Sequence, residues 1–193
     1  MAQFVRTEWA GFEAIHRYED LAVIASVLRE QRPEVAIELG TAKGGFAAFL
    51  AHHLLEWGGQ VLTLDVAPDV GEAQRLVQTY PNIKVLTGDV LAVPHPAVLE
   101  ALLWQRPLLY CDNGKKEREL RLYAPYLPVG GMIGTHDYGT EVGMVYAEAL
   151  MEQLGFTPHR HAEFEALAHP EYYPVSLTRF WLRRTLPEPE EPV

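Results

Sequence analysis

The 193-residue chain reads as an α/β protein built on a doubly wound, mostly parallel sheet with helices on both faces. Three observations predict this. Short runs rich in Val, Ile and Leu alternate with longer segments whose apolar residues recur at helical spacing, the pattern of βαβ units. A glycine cluster, IELGTAKGG at residues 37–45, stands where the first such strand hands over to its helix. Later strands end on acids, Asp65 in VLTLDVAP and Asp89 in VLTGDVL, at the carboxyl edge where such sheets open a crevice.

Element by element, residues 18–31 carry Leu21, Ile24, Ala25 and Leu28 at helical spacing, and Pro33 marks the end. Residues 35–39 form a buried strand, 46–57 a helix closed by Gly58 and Gly59, and 60–66 a second strand. The alternation continues with helix 72–80, strand 83–87, helix 97–105, strand 107–111, helix 116–126, strand 132–136 and helix 145–154, stopped by Gly155. Two extended runs follow, 156–161 and 175–184, and the stretch AEFEALAHPEYYP between them carries no clear period. The expected organisation is one domain over residues 1–185, with residues 1–33 as an N-terminal helical cap. The acidic, proline-rich tail LPEPEEPV, residues 186–193, is expected to be disordered because it has little apolar area to bury.

Composition excludes several function classes. A formal net charge of −10 argues against a sequence-independent nucleic-acid binder, whose affinity comes from clustered Lys and Arg. No apolar run approaches the roughly 20 residues of a membrane helix, and the first residues, MAQFVRTEWAGFE, do not resemble a secretory signal. The single cysteine, Cys111, excludes an internal disulfide and fits a cytoplasmic location.

The glycine turn carries the first functional reading. Gly40, Gly44 and Gly45 let backbone approach a ligand that a Cβ would repel, although a tight turn with glycines serving only packing is the plainer alternative. Asp65 follows Gly40 by 25 residues, close to the offset of an acid that accepts from a ribose diol, or else it caps the next turn. Asp89 is placed to accept from an adenine amine, or to cap a helix. The position two after Gly40 is Ala42, so the pattern departs from GxGxxG and a dinucleotide site is weakened. Glu38 would repel a pyrophosphate but suits a cation such as the sulfonium and ammonium groups of S-adenosylmethionine (SAM).

ELGTAKGG, the strand-end acid Asp65, TGD, YCDNGKK and GGMIGTHDYG together resemble the ordered motifs of class I SAM-dependent methyltransferases, over roughly residues 35–139. The nearest resemblance is to the group that includes cephalosporin-hydroxylase-like proteins; catechol and caffeoyl-CoA O-methyltransferases are similar at greater distance. The resemblance implies a Rossmann-like methyltransferase fold of seven strands with the last one antiparallel, residues 175–184 inserting beside the fifth strand and 156–161 at the edge. It implies that SAM is held by Glu38, Gly40, Thr41, Ala42, Gly44, Gly45, Asp65, Val66, Gly88, Asp89, Val90 and Asp112. The methyl acceptor is expected to be a small-molecule hydroxyl.

A second cluster should meet at the same edge. Asp112, His136 and Asp137 could give a divalent cation two carboxylate oxygens and an imidazole, and such a cation lowers a hydroxyl's pKa. The resemblance matches Asp112 and Lys115 to a metal-binding Asp and a lysine base of metal-dependent O-methyltransferases. The fifth-strand pair departs from that pattern: His136-Asp137 stands where Asp-Asn is expected, and imidazole suits Mn, Fe or Zn better than Mg. The competing readings are Asp112 as a helix cap, His136 as a satisfied buried histidine, and a metal-free site with His136 as general base.

The remaining features are open in sequence. His159 and His161 would share one face of a strand, near His169, Tyr172 and Tyr173, as solvated edge residues or as a substrate rim or metal site. His52 and His53 read as helix surface. Trp9, Phe12, Tyr18 and the leading helix would serve as a lid or as contacts to a second copy in a homodimer. Two other function classes stand beside methyl transfer: a non-catalytic SAM-binding module and a NAD-dependent oxidoreductase.

Overall fold

The computed structural model describes residues 6–167 and 178–186. The chain opens on a hairpin, β1 (Thr7–Trp9) and β2 (Phe12–Ala14), which turns through Ala10 and Gly11, both at positive φ. This part of the expected helical cap is strand. Phe12 and Ala14 alternate inward around an exposed Glu13, a period of two too short to register in sequence. The hairpin is held by its apolar side: Trp9 meets Phe49 edge-on at 5.0 Å, and Arg75 covers the Phe12 ring at 3.9 Å.

After α1 (Tyr18–Gln31), which ends at Arg32 in the left-handed region just before Pro33, the alternation runs as read. It comprises β3 (Val35–Leu39), α2 (Gly45–Leu54), β4 (Gln60–Asp65), α3 (Val70–Thr79), β5 (Ile83–Thr87), α4 (Pro96–Ala101), β6 (Leu108–Cys111), α5 (Lys116–Tyr123), β7 (Met132–Thr135) and α6 (Met144–Gln153). Then come β8 (Phe156–His159), α7 (His161–Ala166) and β9 (Arg179–Arg183). The expected helices 46–57 and 116–126 overran because each finishes in a 3₁₀ turn, Leu55–Trp57 and Ala124–Tyr126. Helix α3 starts early because Asp69 caps it, accepting from the backbone N–H of Gly71 and Glu72.

The seven main strands lie in the order β5-β4-β3-β6-β7-β9-β8. β9 alone runs against the direction of the other six, inserted between β7 and β8 as expected. Alternate residues of the central strands feed two cores. Ala36, Tyr110, Met132 and Phe180 pack under α1, α2 and α7, while Ile37, Leu109, Ile133 and Trp181 pack under α4, α5 and α6. Two covered faces explain why these strands read as continuous apolar runs.

Three readings change. His53 is 4% exposed in the α2 core and is not helix surface. His159 ends β8, Arg160 turns left-handed and His161 opens α7, so the two imidazoles do not share a strand face. The stretch without a clear period contains α7; His169, Tyr172, Tyr173 and residues 187–193 lie outside the described residues. Among those described, no helix is long and apolar enough to cross a membrane.

Candidate functional site

Parallel pairing brings four strand ends side by side. Gly40 N–H donates to Leu64 O at 2.7 Å, Asp112 N–H to Leu39 O at 2.9 Å and His136 N–H to Cys111 O at 3.2 Å. The ladder therefore delivers the glycine turn, YCDNGKK and THDYG to one edge, as the order of motifs required.

In the turn, Gly40 has φ +105, and a Cβ there would stand 2.6 Å from Asp112 O. A Cβ on Gly44, at φ +79, would meet the Leu76 side chain at 2.6 Å, and one on Gly45 would collide with the Glu13 backbone. The glycines thus admit neighbouring protein: the turn closes onto the β6 loop, α3 and the hairpin. Ala42 takes a left-handed φ of 45 without being glycine.

The turn borders a cavity of about 250 Å³ lined by Glu38, Gly40, Thr41, Ala42, Lys43, Gly45 and Phe46 on one side and by Asp112, Lys116, His136 and Asp137 on the other. The hairpin end and its linker, Glu13 to His16, also line the cavity, and α1 does not. Glu38 is 1% exposed. It pairs in register with Thr63, whose hydroxyl donates to Glu38 Oε2 at 2.5 Å, and Thr41 Oγ1 stands 2.6 Å from Thr63 Oγ1. Burial raises the Glu38 pKa well above the usual carboxylate range, outweighing the Thr63 hydrogen bond.

Asp65 bridges two segments, accepting from Ala42 N–H and from Ala67 N–H, both at 3.0 Å. A carboxylate has about four acceptor positions, so two remain for a diol. Asp89 is exposed and closes its own turn by accepting from Leu91 N–H at 2.8 Å; the cap of α4 is His95. Val66 is 58% exposed beside Asp65, while Gly88 N–H is tied to Asp65 O at 3.0 Å. Val90 is fully buried and its carbonyl is taken by the Tyr123 hydroxyl at 2.7 Å, which commits its side chain to the core.

The opposite wall is a compact ionic cluster. Lys116 Nζ lies 2.8 Å from Asp137 Oδ2, 2.8 Å from Glu141 Oε2 and 3.4 Å from Asp112 Oδ1. His136 Nδ1 faces Asp112 Oδ1 at 3.5 Å and Asp137 Oδ2 at 3.4 Å. Burial alone would lower the His136 pKa, but Asp112 and Asp137 outweigh it and push it up to about 10. Burial likewise opposes the Lys116 charge, and the three carboxylates more than compensate, raising its pKa. Asp112 and Asp137 are held below their ordinary value against burial, chiefly by His136. Asp112 does not cap α5, whose N-cap, Lys115, shows no side-chain cap bond.

The separate spacings from His136 to the two carboxylates are of the size a divalent cation spans. Two ligands at typical bond lengths around a tetrahedral ion are about 3.4 Å apart, and His136 Nδ1 stands at 3.5 and 3.4 Å from the two carboxylate oxygens. His136 Nε2 is buried without a hydrogen-bond partner.

Sequence reasoning missed Lys116, Glu141 and His16. The doublet Lys115-Lys116 hides which lysine turns inward. Lys115 is exposed and faces a second cavity with Arg118 and Arg121, while Lys116 is 3% exposed. His16 precedes α1 with no periodic signal around it. It stacks between Phe46 at 4.3 Å and His136 at 4.4 Å, ring centroid to centroid.

A family model described as rhamnosyl O-methyltransferase/CmcI matches residues 2–102, more than half of the chain. No curated protein matches the sequence. Among solved structures, the chain is similar to CmcI in a Mg-SAM form, at 16% identity over 93% of this chain and 76% of that one, with TM-score 0.63. It is similar to an SAH form of CmcI at 21% identity over 74% and 76% of the two chains, TM-score 0.54. A SAM-dependent O-methyltransferase from Thermotoga maritima aligns at 12% identity over 96% and 80%, TM-score 0.59. At these identities the structural likeness carries the fold: the same layered sheet with its antiparallel strand.

Proposed function

The chain belongs to the rhamnosyl O-methyltransferase/CmcI family, and on that premise we propose that it transfers the methyl group of SAM to a hydroxyl of a small molecule. The observation that carries the reading is the cavity itself: a buried Glu38 on one wall and a lysine-carboxylate-imidazole cluster on the other. Neither an oxidoreductase nor an idle binding module is favoured by the comparisons.

In this reading the sulfonium and ammonium groups of SAM face Glu38, and the ribose diol takes the free acceptor positions of Asp65. Val66 offers its exposed side chain to the adenine, and Asp89 accepts from the exocyclic amine. Gly40, Thr41, Ala42 and Gly45 supply the floor, and Gly44 and Gly88 shape it through backbone packing.

The acceptor hydroxyl enters beside Asp112, His136 and Lys116. Its oxygen attacks the methyl carbon as the S–CH₃ bond breaks, giving an ether and S-adenosylhomocysteine, and the hydroxyl proton must leave. Lys116 stays cationic at neutral pH and stabilises the oxygen anion as that proton departs. Lys116 takes up the hydroxyl proton as it passes one of its own to Glu141, half exposed and 2.8 Å from its Nζ, and so to water, and its charge is kept. Lys116 takes the position that the family resemblance assigns to Lys115. Asp112, His136 and Asp137 would hold a divalent metal, whose chemistry there is to acidify and orient the hydroxyl.

We place the single domain over residues 1–185 and the reaction in the cytoplasm, on the strength of one buried free thiol, Cys111. Calorimetry with SAM, followed by methyl transfer from labelled SAM to a panel of small phenols and sugars, tests the proposal. SAM binding with label appearing in an ether is expected; no heat with SAM would remove the basis of the assignment.

A further inference from the structure

We propose that His16 completes a cation site with His136 and Asp112, so that the linker between the hairpin and α1 supplies a third donor and the site selects a transition-metal dication over Mg. The inference deepens the proposed function, which supplies the place of the site but not this donor set.

One ring nitrogen from each histidine and a carboxylate oxygen of Asp112 all lie within 4.8 Å of one another. Donors that share a tetrahedral cation stand about 3.4 Å apart, so closure draws the three groups together by up to about 1.4 Å. His16 is 2% exposed and His136 4%. His16 keeps Nδ1 buried without a hydrogen-bond partner, and His136 turns its Nδ1 to Asp112 Oδ1 at 3.5 Å.

The other nitrogen of His16, Nε2, stands 3.1 Å from the Tyr110 hydroxyl. When Nε2 carries the proton toward that oxygen, the Nδ1 lone pair is free, the arrangement by which an outer partner orients a metal-binding imidazole. His16 stacks between Phe46 and His136 with 28° between the two imidazole planes, so both rings must tilt for their lone pairs to converge on one ion. Asp137 Oδ2 is held closer to Lys116 Nζ, at 2.8 Å, than Asp112 Oδ1 is, at 3.4 Å, so His16, His136 and Asp112 are the donors the cation draws on first. The three carboxylates Asp112, Asp137 and Glu141 exceed the charge of Lys116 and accommodate a second cation. Two imidazoles favour Zn(II), Co(II) or Fe(II) over Mg(II).

Titrating the full chain with Co(II) and with Mg(II), each alone, tests the proposal, with SAM binding by the unaltered chain measured in parallel. Co(II) should bind at least tenfold tighter than Mg(II), and His16→Phe, which keeps the stacking ring, should weaken Co(II) at least tenfold while changing Mg(II) little. In the unaltered chain, Zn(II) should shift the ring nitrogens of both His16 and His136 in long-range ¹H–¹⁵N spectra, a readout independent of how the variant folds. Movement of His136 alone, no Co(II) binding, or unchanged Co(II) affinity in a folded His16→Phe would overturn the inference. SAM binding that persists through those outcomes would leave the methyltransferase reading standing, and its absence would remove that reading separately.

Discussion

Glu38 concentrates the chemistry of the site in one side chain. Burial raises its pKa, and a cationic ligand opposes that shift by stabilising the carboxylate. SAM binding should therefore release a proton, visible as a dependence of the measured heat on buffer ionisation enthalpy, and affinity should fall as pH drops because more Glu38 must then be deprotonated. Replacing Glu38 by Gln should abolish the release and weaken SAM by about 1.5–3 kcal/mol, the range for a charge-assisted hydrogen bond. Equal affinity and equal heat for the variant would mean that this carboxylate does not face the donor. Gly40 belongs to the same scale. With φ +105 and Asp112 O 2.6 Å from the site of a Cβ, Gly40→Ala should cost about 1–3 kcal/mol in urea melts and displace the loop that carries Asp112. The glycines and the acids were legible as residues. What the glycines admit was not, because their neighbours Asp112, Leu76 and Glu13 come from distant parts of the chain.

Among the elements, α2 shows what periodicity can miss. His53 looked like surface because histidine is polar, yet the hairpin covers that face of the helix, with the Trp9 ring 5.7 Å from that of His53. Burial lowers its pKa to about 4, and neither ring nitrogen has a hydrogen bond. A group with a depressed folded pKa contributes stability above its unfolded value, about 6.5, and loses it as pH falls toward 4. The effect is on the order of 3 kcal/mol for a shift of this size. Denaturant midpoints measured between pH 7 and pH 4 should fall less steeply for His53→Leu than for the parent chain; parallel curves would show that His53 is not buried neutral. Helix α5 teaches the same lesson at a finer grain. Its start was readable to a residue, but a one-residue rotation decides whether Lys115 or Lys116 enters the site, and only packing sets that rotation.

For the molecule as a whole, the antiparallel strand β9 closes the sheet. Arg183, 1% exposed, donates through Nη1 to the carbonyls of Ala124, Pro125 and Leu127 and so ties β9 to the turn that follows α5. Arg183→Met keeps much of the volume but strands those acceptors, and guanidinium unfolding should show a loss of roughly 3 kcal/mol or more. A loss below about 1 kcal/mol would indicate that water replaces the guanidinium. The alternation of apolar runs and helical periods, the glycine turn and the strand-end acids determined the doubly wound sheet and the edge where its site lies, since period and the succession of elements along the chain are local properties. Tertiary structure alone decided which lysine faces the carboxylates, that the hairpin end lines the cavity, and that His16 stands against His136, 120 positions away in sequence. Those contacts depend on how separate elements pack, and no local pattern encodes a distance between residues that far apart.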